Sequence, residues 1–160
     1  MRSVRITVHS TIQMEEFNTA SKSRRKVILL AEDDQDDVFL FQEILGKIDQ
    51  NIDIKVVSNG LEAIFSLMEP PMADVIFLDI NMPRMNGIEC LRRIRNVSKD
   101  IPVIILTTSG NEELINQVKE LGASGFVSKP GAYSKFQTVM NDILAIDWKK
   151  NSPAFYLKTK

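Results

Sequence analysis

From Val27 to Trp148, short apolar runs alternate with segments of helical spacing. The runs cover residues 27–31, 52–57, 74–79, 102–108 and 125–129. Three of them are near-continuous Val, Ile, Leu and Phe, as expected of strands with both faces covered, where neither face alternates with solvent. Between the runs, apolar residues recur at steps of three and four, the stripe of a helix that buries one side. The stripes are Val38, Phe41, Ile44, Leu45 and Ile48; Leu61, Ile64, Phe65 and Met68; Ile88, Leu91 and Ile94; Leu114, Val118 and Leu121; and Phe136, Val139, Met140, Ile143 and Leu144. Asn59 and Asn111 stand where a side-chain oxygen caps a helix N-terminus, and Gly122 follows the fourth stripe where a C-terminal glycine belongs. Five strands alternating with five helices predict an α/β domain built on a parallel sheet, and right-handed crossovers leave few topologies.

Two flanks lie outside this alternation. Residues 1–25 are expected to be a flexible N-terminal extension: Val4, Ile6 and Val8 alternate as a strand would, and Met14 offers an alternative start. Residues 149–160 read as a polar C-terminal tail carrying a small apolar cluster, Phe155, Tyr156 and Leu157. That cluster either folds back on the domain, the preferred reading, or extends a homodimer surface. The folded domain is expected over residues 26–148, with no length left for an effector domain.

Charge and cysteine content narrow the class. The formal net charge is −1, divided as +4 over residues 1–26 and −5 over the rest. No whole-domain attraction to nucleic acid follows, and the basic run from Lys22 to Lys26 reads as a solvated flank. The single cysteine, Cys90, excludes an intramolecular disulfide and a multi-cysteine metal site. No apolar run approaches the ~20 residues needed to span a bilayer. A cytoplasmic protein without membrane or nucleic-acid partners is expected.

Ligands of an open parallel sheet bind beyond the carboxyl ends of its strands, and there the sequence places Glu32-Asp33-Asp34, Asp79, Thr107-Thr108 and Lys129. Clustered carboxylates with a backbone carbonyl make an oxygen site for Mg2+, whose charge offsets their mutual repulsion. A carboxylate nucleophile such as Asp79 can take a phosphoryl group as an acyl phosphate. Lys129 can neutralise part of the added charge, and the Thr107 hydroxyl can donate a hydrogen bond. Each residue also has an ordinary explanation. Asp34, Asp36 and Asp37 suit the first turn of a helix as capping and dipole-matching residues. Lys129 alone is an ordinary surface residue, and Thr107 alone a common β-former. Asp79 is harder to dismiss, since it follows the apolar run Val75-Ile76-Phe77-Leu78 and precedes Ile80.

The stretch from Phe77 to Gly87, FLDINMPRMNG, resembles the phosphorylation-site motif of response-regulator receiver domains of bacterial two-component signalling. Glu32-Asp33-Asp34, Thr107-Thr108-Ser109 and Lys129-Pro130 support the resemblance, which covers about residues 26–147. It implies a flavodoxin-like doubly wound (βα)5 fold whose five-stranded parallel sheet has the order 2-1-3-4-5. By the same resemblance Asp79 is the phosphoacceptor, and Asp33, Glu32, Asp79 and the Asn81 backbone carbonyl are the Mg2+ ligands, Glu32 through water. Thr107 and Lys129 would contact the phosphoryl group, Phe126 would be the switch aromatic, and Lys129–Pro130 a cis bond. Phe126 lacks the hydroxyl of the usual Tyr, and Gly131 stands where a bulky apolar residue is common.

The function implied is a single-domain response regulator. It takes a phosphoryl group from a sensor histidine kinase or phosphotransfer protein and signals by phosphorylation-dependent protein binding. As phosphorylation draws the Thr107 hydroxyl inward, Phe126 would swing into the vacated space and alter a target-binding surface between Asn111 and Trp148. The only histidine, His9, lies in the N-terminal extension, so the donor is expected on another protein.

Two alternatives remain open: a degenerate receiver acting as a phosphorylation-independent scaffold, and an aspartyl-phosphate phosphohydrolase. Asn81 stands where such hydrolases carry a second acid, so a turnover enzyme is not expected. A nucleotide-binding module is disfavoured because no G-x-x-x-x-G-K-[ST] or G-x-G-x-x-G loop follows any strand.

Overall fold

The computed structural model describes residues 24–108 and 110–159. The Val4/Ile6/Val8 alternation, His9, Met14, Lys22, Ser23 and Ser109 lie outside the described residues. The chain runs β1 (Lys26–Ala31), α1 (Gln35–Ile48), β2 (Ile52–Val57), α2 (Gly60–Ser66), β3 (Val75–Leu78), α3 (Gly87–Val97), β4 (Val103–Thr107), α4 (Glu112–Glu120), β5 (Gly125–Ser128), α5 (Tyr133–Ala145) and β6 (Tyr156–Lys158). Each expected strand and helix forms. Asp79 and Lys129 fall one residue past β3 and β5, beyond the ladder rather than in it.

All strand pairs are parallel, in the order β2-β1-β3-β4-β5-β6. Side chains alternate across the sheet. Ile28 and Leu30 of β1 therefore join the core beneath α1 and α5, while Leu29 and Ala31 join the core beneath α2, α3 and α4. This two-sided burial is why β1, β3 and β4 are apolar without interruption. Phe41 of α1 meets Phe77 of β3 edge to face, with ring centroids 5.0 Å apart, a contact adding about 0.5–1.5 kcal/mol beyond area burial.

Helix starts follow side-chain chemistry. Asp34, Asn59, Asn86 and Asn111 each accept a backbone N–H of the first turn that follows, and each such cap stabilises by ~1 kcal/mol. Gly122 ends α4 at φ +90°, a conformation that costs a side-chain-bearing residue but not glycine.

A sixth strand extends the expected 2-1-3-4-5 core, and with it part of the 149–160 tail folds back on the domain, the reading preferred for its apolar cluster. Tyr156–Lys158 adds to β5, and Tyr156 N–H donates to the Ser124 carbonyl at 2.9 Å. Phe155 packs against the core beneath α2, α3 and α4, with the Lys119 ammonium 5.6 Å from its ring centroid. Three residues are too few for periodicity to reveal a strand. What admits them is on another segment: a Cβ at Gly125 would lie 2.8 Å from the Tyr156 carbonyl oxygen and 2.9 Å from its Cβ.

Gly125→Ala is therefore expected to lower stability by about 1–3 kcal/mol in urea unfolding, the usual range for overpacking. It should also speed hydrogen exchange at the Tyr156 amide. Unchanged exchange there would mean that β6 docks without needing the glycine.

Candidate functional site

Four strand ends converge on one edge of the sheet. β1 lies between β2 and β3, so the winding reverses at β1 and β3, and the crevice opens beyond their carboxyl ends. Glu32 and Asp33 follow β1, Asp79 follows β3, Thr107 ends β4 and Lys129 follows β5. The resulting cleft has a volume of about 600 Å3 and is lined in part by Glu32, Asp33, Asp34, Asp37, Asp79 and Lys129.

The β3–α3 loop aims Asp79. Asn81 N–H donates to Asp79 Oδ2 at 2.6 Å, and Gly87 N–H donates to the Ile80 carbonyl at 2.9 Å. Gly87 presses on the acidic residue's own backbone: a Cβ there would lie 2.1 Å from the Asp79 carbonyl oxygen. Asn86, just before it, caps α3 by accepting from Glu89 N–H at 2.9 Å. The Asn-Gly pair thus starts a helix and lets that helix begin directly against the end of β3.

Lys129 is the electrostatic centre. Its ammonium donates to Glu32 Oε2 at 2.5 Å and to Asp37 Oδ2 at 2.7 Å, and lies 3.3 Å from Asp79 Oδ1. The lysine side chain is 9% exposed and that of Glu32 3%. Burial pulls the Lys129 ammonium down, the largest single influence, yet its bonds to Asp37 and Glu32 and the charges of Asp79 and Glu32 together outweigh this and hold it above the ordinary lysine value. Glu32 is raised above its ordinary 4.5 by burial first, then by the Asp79 charge, against the lowering effect of Lys129.

Of the three acidic residues expected to serve only as capping or dipole-matching groups, Asp34 does cap α1, accepting from Asp36 N–H at 2.9 Å and Asp37 N–H at 3.3 Å. Asp36 is exposed in the first turn. Asp37 reaches Lys129 instead. Sequence reasoning missed this because nothing in a one-dimensional acidic run distinguishes the member that α1 turns inward.

Thr107 Oγ1 is fully buried and has no hydrogen-bond partner among the described residues. Phe126 is also fully buried, and a Cβ at Gly110 would lie 2.3 Å from its Cζ. The expected inward swing presupposes an outward ring, yet this ring is already inside; a Phe has no hydroxyl to keep it at the surface. The expected cis Lys129–Pro130 bond is likewise not found. The cis peptide bond among the described residues is Pro70–Pro71. For an X-Pro bond, trans is favoured by about 0.5–1 kcal/mol, and Lys129 reaches its carboxylates without the other isomer.

The donor set fits a hard divalent cation. One ligand atom from each of Glu32, Asp33 and Asp79 lies within 4.8 Å of the others. The oxygen-only chemistry suits Mg2+ or Mn2+ over Zn2+, and Glu32, Asp33 and Asp79 are the side chains that would hold such an ion.

The chain matches the family model described as response regulator receiver domain over residues 28–141. It is 36% identical over 116 residues to a protein-glutamate methylesterase/protein-glutamine glutaminase of Treponema denticola, covering 69% of this chain and 31% of that protein. It is 35% identical over 112 residues to response regulator Rcp1 of Synechocystis, covering 65% of this chain and 76% of Rcp1. The crystal structure of the Mn(2+)-bound form of Rcp1 superposes with a TM-score of 0.68 at 31% identity, covering 80% of this chain and 99% of that one. The phosphorylated cyanobacterial phytochrome response regulator RcpA gives a TM-score of 0.69 at 31% identity, covering 74% and 91%. Against four of its most similar curated relatives, the chain spans between 25% and 47% of their length.

Divalent metal should stabilise this protein in a pH-dependent way. Because Glu32 is raised in the folded state, its contribution to stability is present below pH 4.5 and lost as pH rises through the raised value. Saturating Mg2+ is expected to raise Tm by about 3–6 °C near pH 7.5 and little near pH 4.5, since bound ligand stabilises by RT ln(1 + [L]/Kd). Differential scanning calorimetry with and without Mg2+ checks this. Asp33→Asn should abolish the rise.

Proposed function

The chain belongs to the response regulator receiver family, and from that premise we propose that it is a phosphoacceptor. In this reading it takes a phosphoryl group on Asp79 from a histidine kinase or phosphotransfer protein and signals through phosphorylation-dependent protein binding. The observation that carries the reading is the buried Thr107 hydroxyl, a donor with no partner among the described residues, at the strand end beside Asp79. A buried polar group left unpaired costs about 1–3 kcal/mol. A phosphoryl oxygen on Asp79 would satisfy it.

Receiver domains bind Mg2+ at an acidic pocket, and in this chain Glu32, Asp33 and Asp79 are the side chains suited to hold it, with the Asn81 backbone carbonyl as a further ligand. When bound, the cation neutralises charge on the phosphoryl oxygens and on the clustered carboxylates. The chain's own residues do the rest. An Asp79 carboxylate oxygen attacks phosphorus, an O–P bond forms, and the donor's P–N or P–O bond breaks with its electron pair leaving on the donor. Lys129 offsets the incoming negative charge, and Thr107 donates to a phosphoryl oxygen.

The output surface is proposed to lie between Asn111 and Trp148. Because β6 occupies the edge of β5, a target would meet α4, α5 and β6 rather than a bare strand edge. With Phe126 already buried, the conformational signal is assigned to Thr107 and the β4–α4 connection rather than to a ring swing. Such a change is a two-position element biased by local charge.

Intact mass spectrometry after incubation with Mg2+ and acetyl phosphate or phosphoramidate tests the reading. One added phosphoryl group is expected, absent in Asp79→Asn and absent without Mg2+. No addition from either donor, in a chain that still binds Mg2+, would favour a receiver that signals without phosphate.

A further inference from the structure

We propose that Asp37 is a positioning residue for phosphoryl transfer: it draws the Lys129 ammonium toward α1 and so keeps Asp79 Oδ1 free to attack. The inference rests on the phosphoacceptor reading of Asp79 and goes beyond it, because it assigns a role to a carboxylate outside the metal-binding and phosphoryl-accepting set.

An ammonium has three N–H donors. Two of those of Lys129 are spent on Glu32 Oε2 at 2.5 Å and Asp37 Oδ2 at 2.7 Å. Asp79 Oδ1 lies 3.3 Å from the same nitrogen, within ion-pair distance, but the contact does not meet hydrogen-bond geometry. The two oxygens of Asp79 are consequently unlike. Oδ2 accepts from Asn81 N–H at 2.6 Å, while Oδ1 accepts no hydrogen bond from Lys129 or Asn81. A carboxylate oxygen bonded to an ammonium is a poorer nucleophile, because the lone pair that would attack is held by the proton. Oδ1 is spared because the lysine is pulled toward α1.

The pull comes from Asp37 more than from Glu32. Glu32 directly follows β1 and also accepts from Asp34 N–H, through Oε1 at 3.2 Å, so its position is set by the strand end. Asp37 lies in the first turn of α1, and its side chain is 34% exposed. The buried ammonium already has Glu32 and Asp79 within ion-pair distance, so Asp37 adds a third carboxylate to a cation that two carboxylates surround. As a tether it has a use: without it, the nearest remaining carboxylate for the freed donor is Asp79. Asp36 supplies the internal comparison. It carries the same charge one residue earlier, is exposed, and has no hydrogen bond to its carboxylate among the described residues.

The test is the rate of phosphorylation by phosphoramidate at saturating Mg2+, followed by intact mass over a donor series, in the native chain and in Asp37→Ala, Asp37→Asn, Asp37→Glu and Asp36→Asn. Asp37→Ala is expected to lower the saturating rate about fivefold relative to Asp36→Asn, a loss in the chemical step rather than in donor binding. The donor concentration at half-maximal rate should not rise, because removing a negative charge does not disfavour an anionic donor. Asp37→Glu should restore most of the rate, its longer carboxylate still reaching the ammonium. Asp37→Asn, which keeps the side chain's size, provides the comparison if the alanine variant fails to fold. A saturating rate in Asp37→Ala or Asp37→Asn equal to or above that of Asp36→Asn overturns the assignment and leaves Asp79 as acceptor. No phosphoryl addition to the native chain overturns the acceptor reading itself, and this assignment with it.

Discussion

A lysine ammonium buried at the end of an apolar sheet must be paired, and the site is organised around that requirement. Moving such a charge out of water costs several kcal/mol unless good partners surround it. Here the partners are Glu32 after β1, Asp37 in α1 and Asp79 after β3. The lysine follows β5, so one cation ties together three non-adjacent segments. The converse also holds. Glu32, Asp33 and Asp79 would repel one another without Lys129 on one side and a divalent cation on the other, and burial already raises Glu32.

The sheet makes this arrangement possible by what it excludes. β1, β3 and β4 bury almost every side chain on both faces, so polar groups are confined to the strand ends. Parallel pairing then brings all carboxyl ends to the same edge. The register Leu78↔Ile105 and Thr107↔Ser128 places the residues after β3, at the end of β4 and after β5 side by side. Loop chemistry supplies the remaining precision, with Gly87 letting α3 start against the Asp79 backbone.

In the proposed phosphoacceptor reading, a phosphoryl group would supply the partner that the Thr107 hydroxyl lacks among the described residues. The groups around it are already paired. Glu32 accepts through both oxygens, and Lys129 divides its donors between α1 and the strand ends. This division lets a small change at Asp79 redistribute hydrogen bonds without disturbing the apolar core beneath.

Much of this protein is determined by sequence alone. The five main strands, the five helices, the caps at Asn59 and Asn111 and the glycine stop at Gly122 follow from periodicity and local backbone chemistry, which act over a few residues. The acidic, Thr and Lys positions were legible because polar groups ending apolar runs must lie at the rim of a parallel sheet. The tertiary structure decided what depends on distant segments meeting. β6 exists because Gly125 leaves room for Tyr156 some thirty residues later. Phe126 is already inside because the packing beneath Gly110 accommodates the ring. Asp34 caps a helix while Asp37 holds a lysine from the far end of the chain, and only the rotation of α1 against the sheet separates those roles. Local propensity carries no information about such pairings, because their energies come from contacts that the folded chain alone creates.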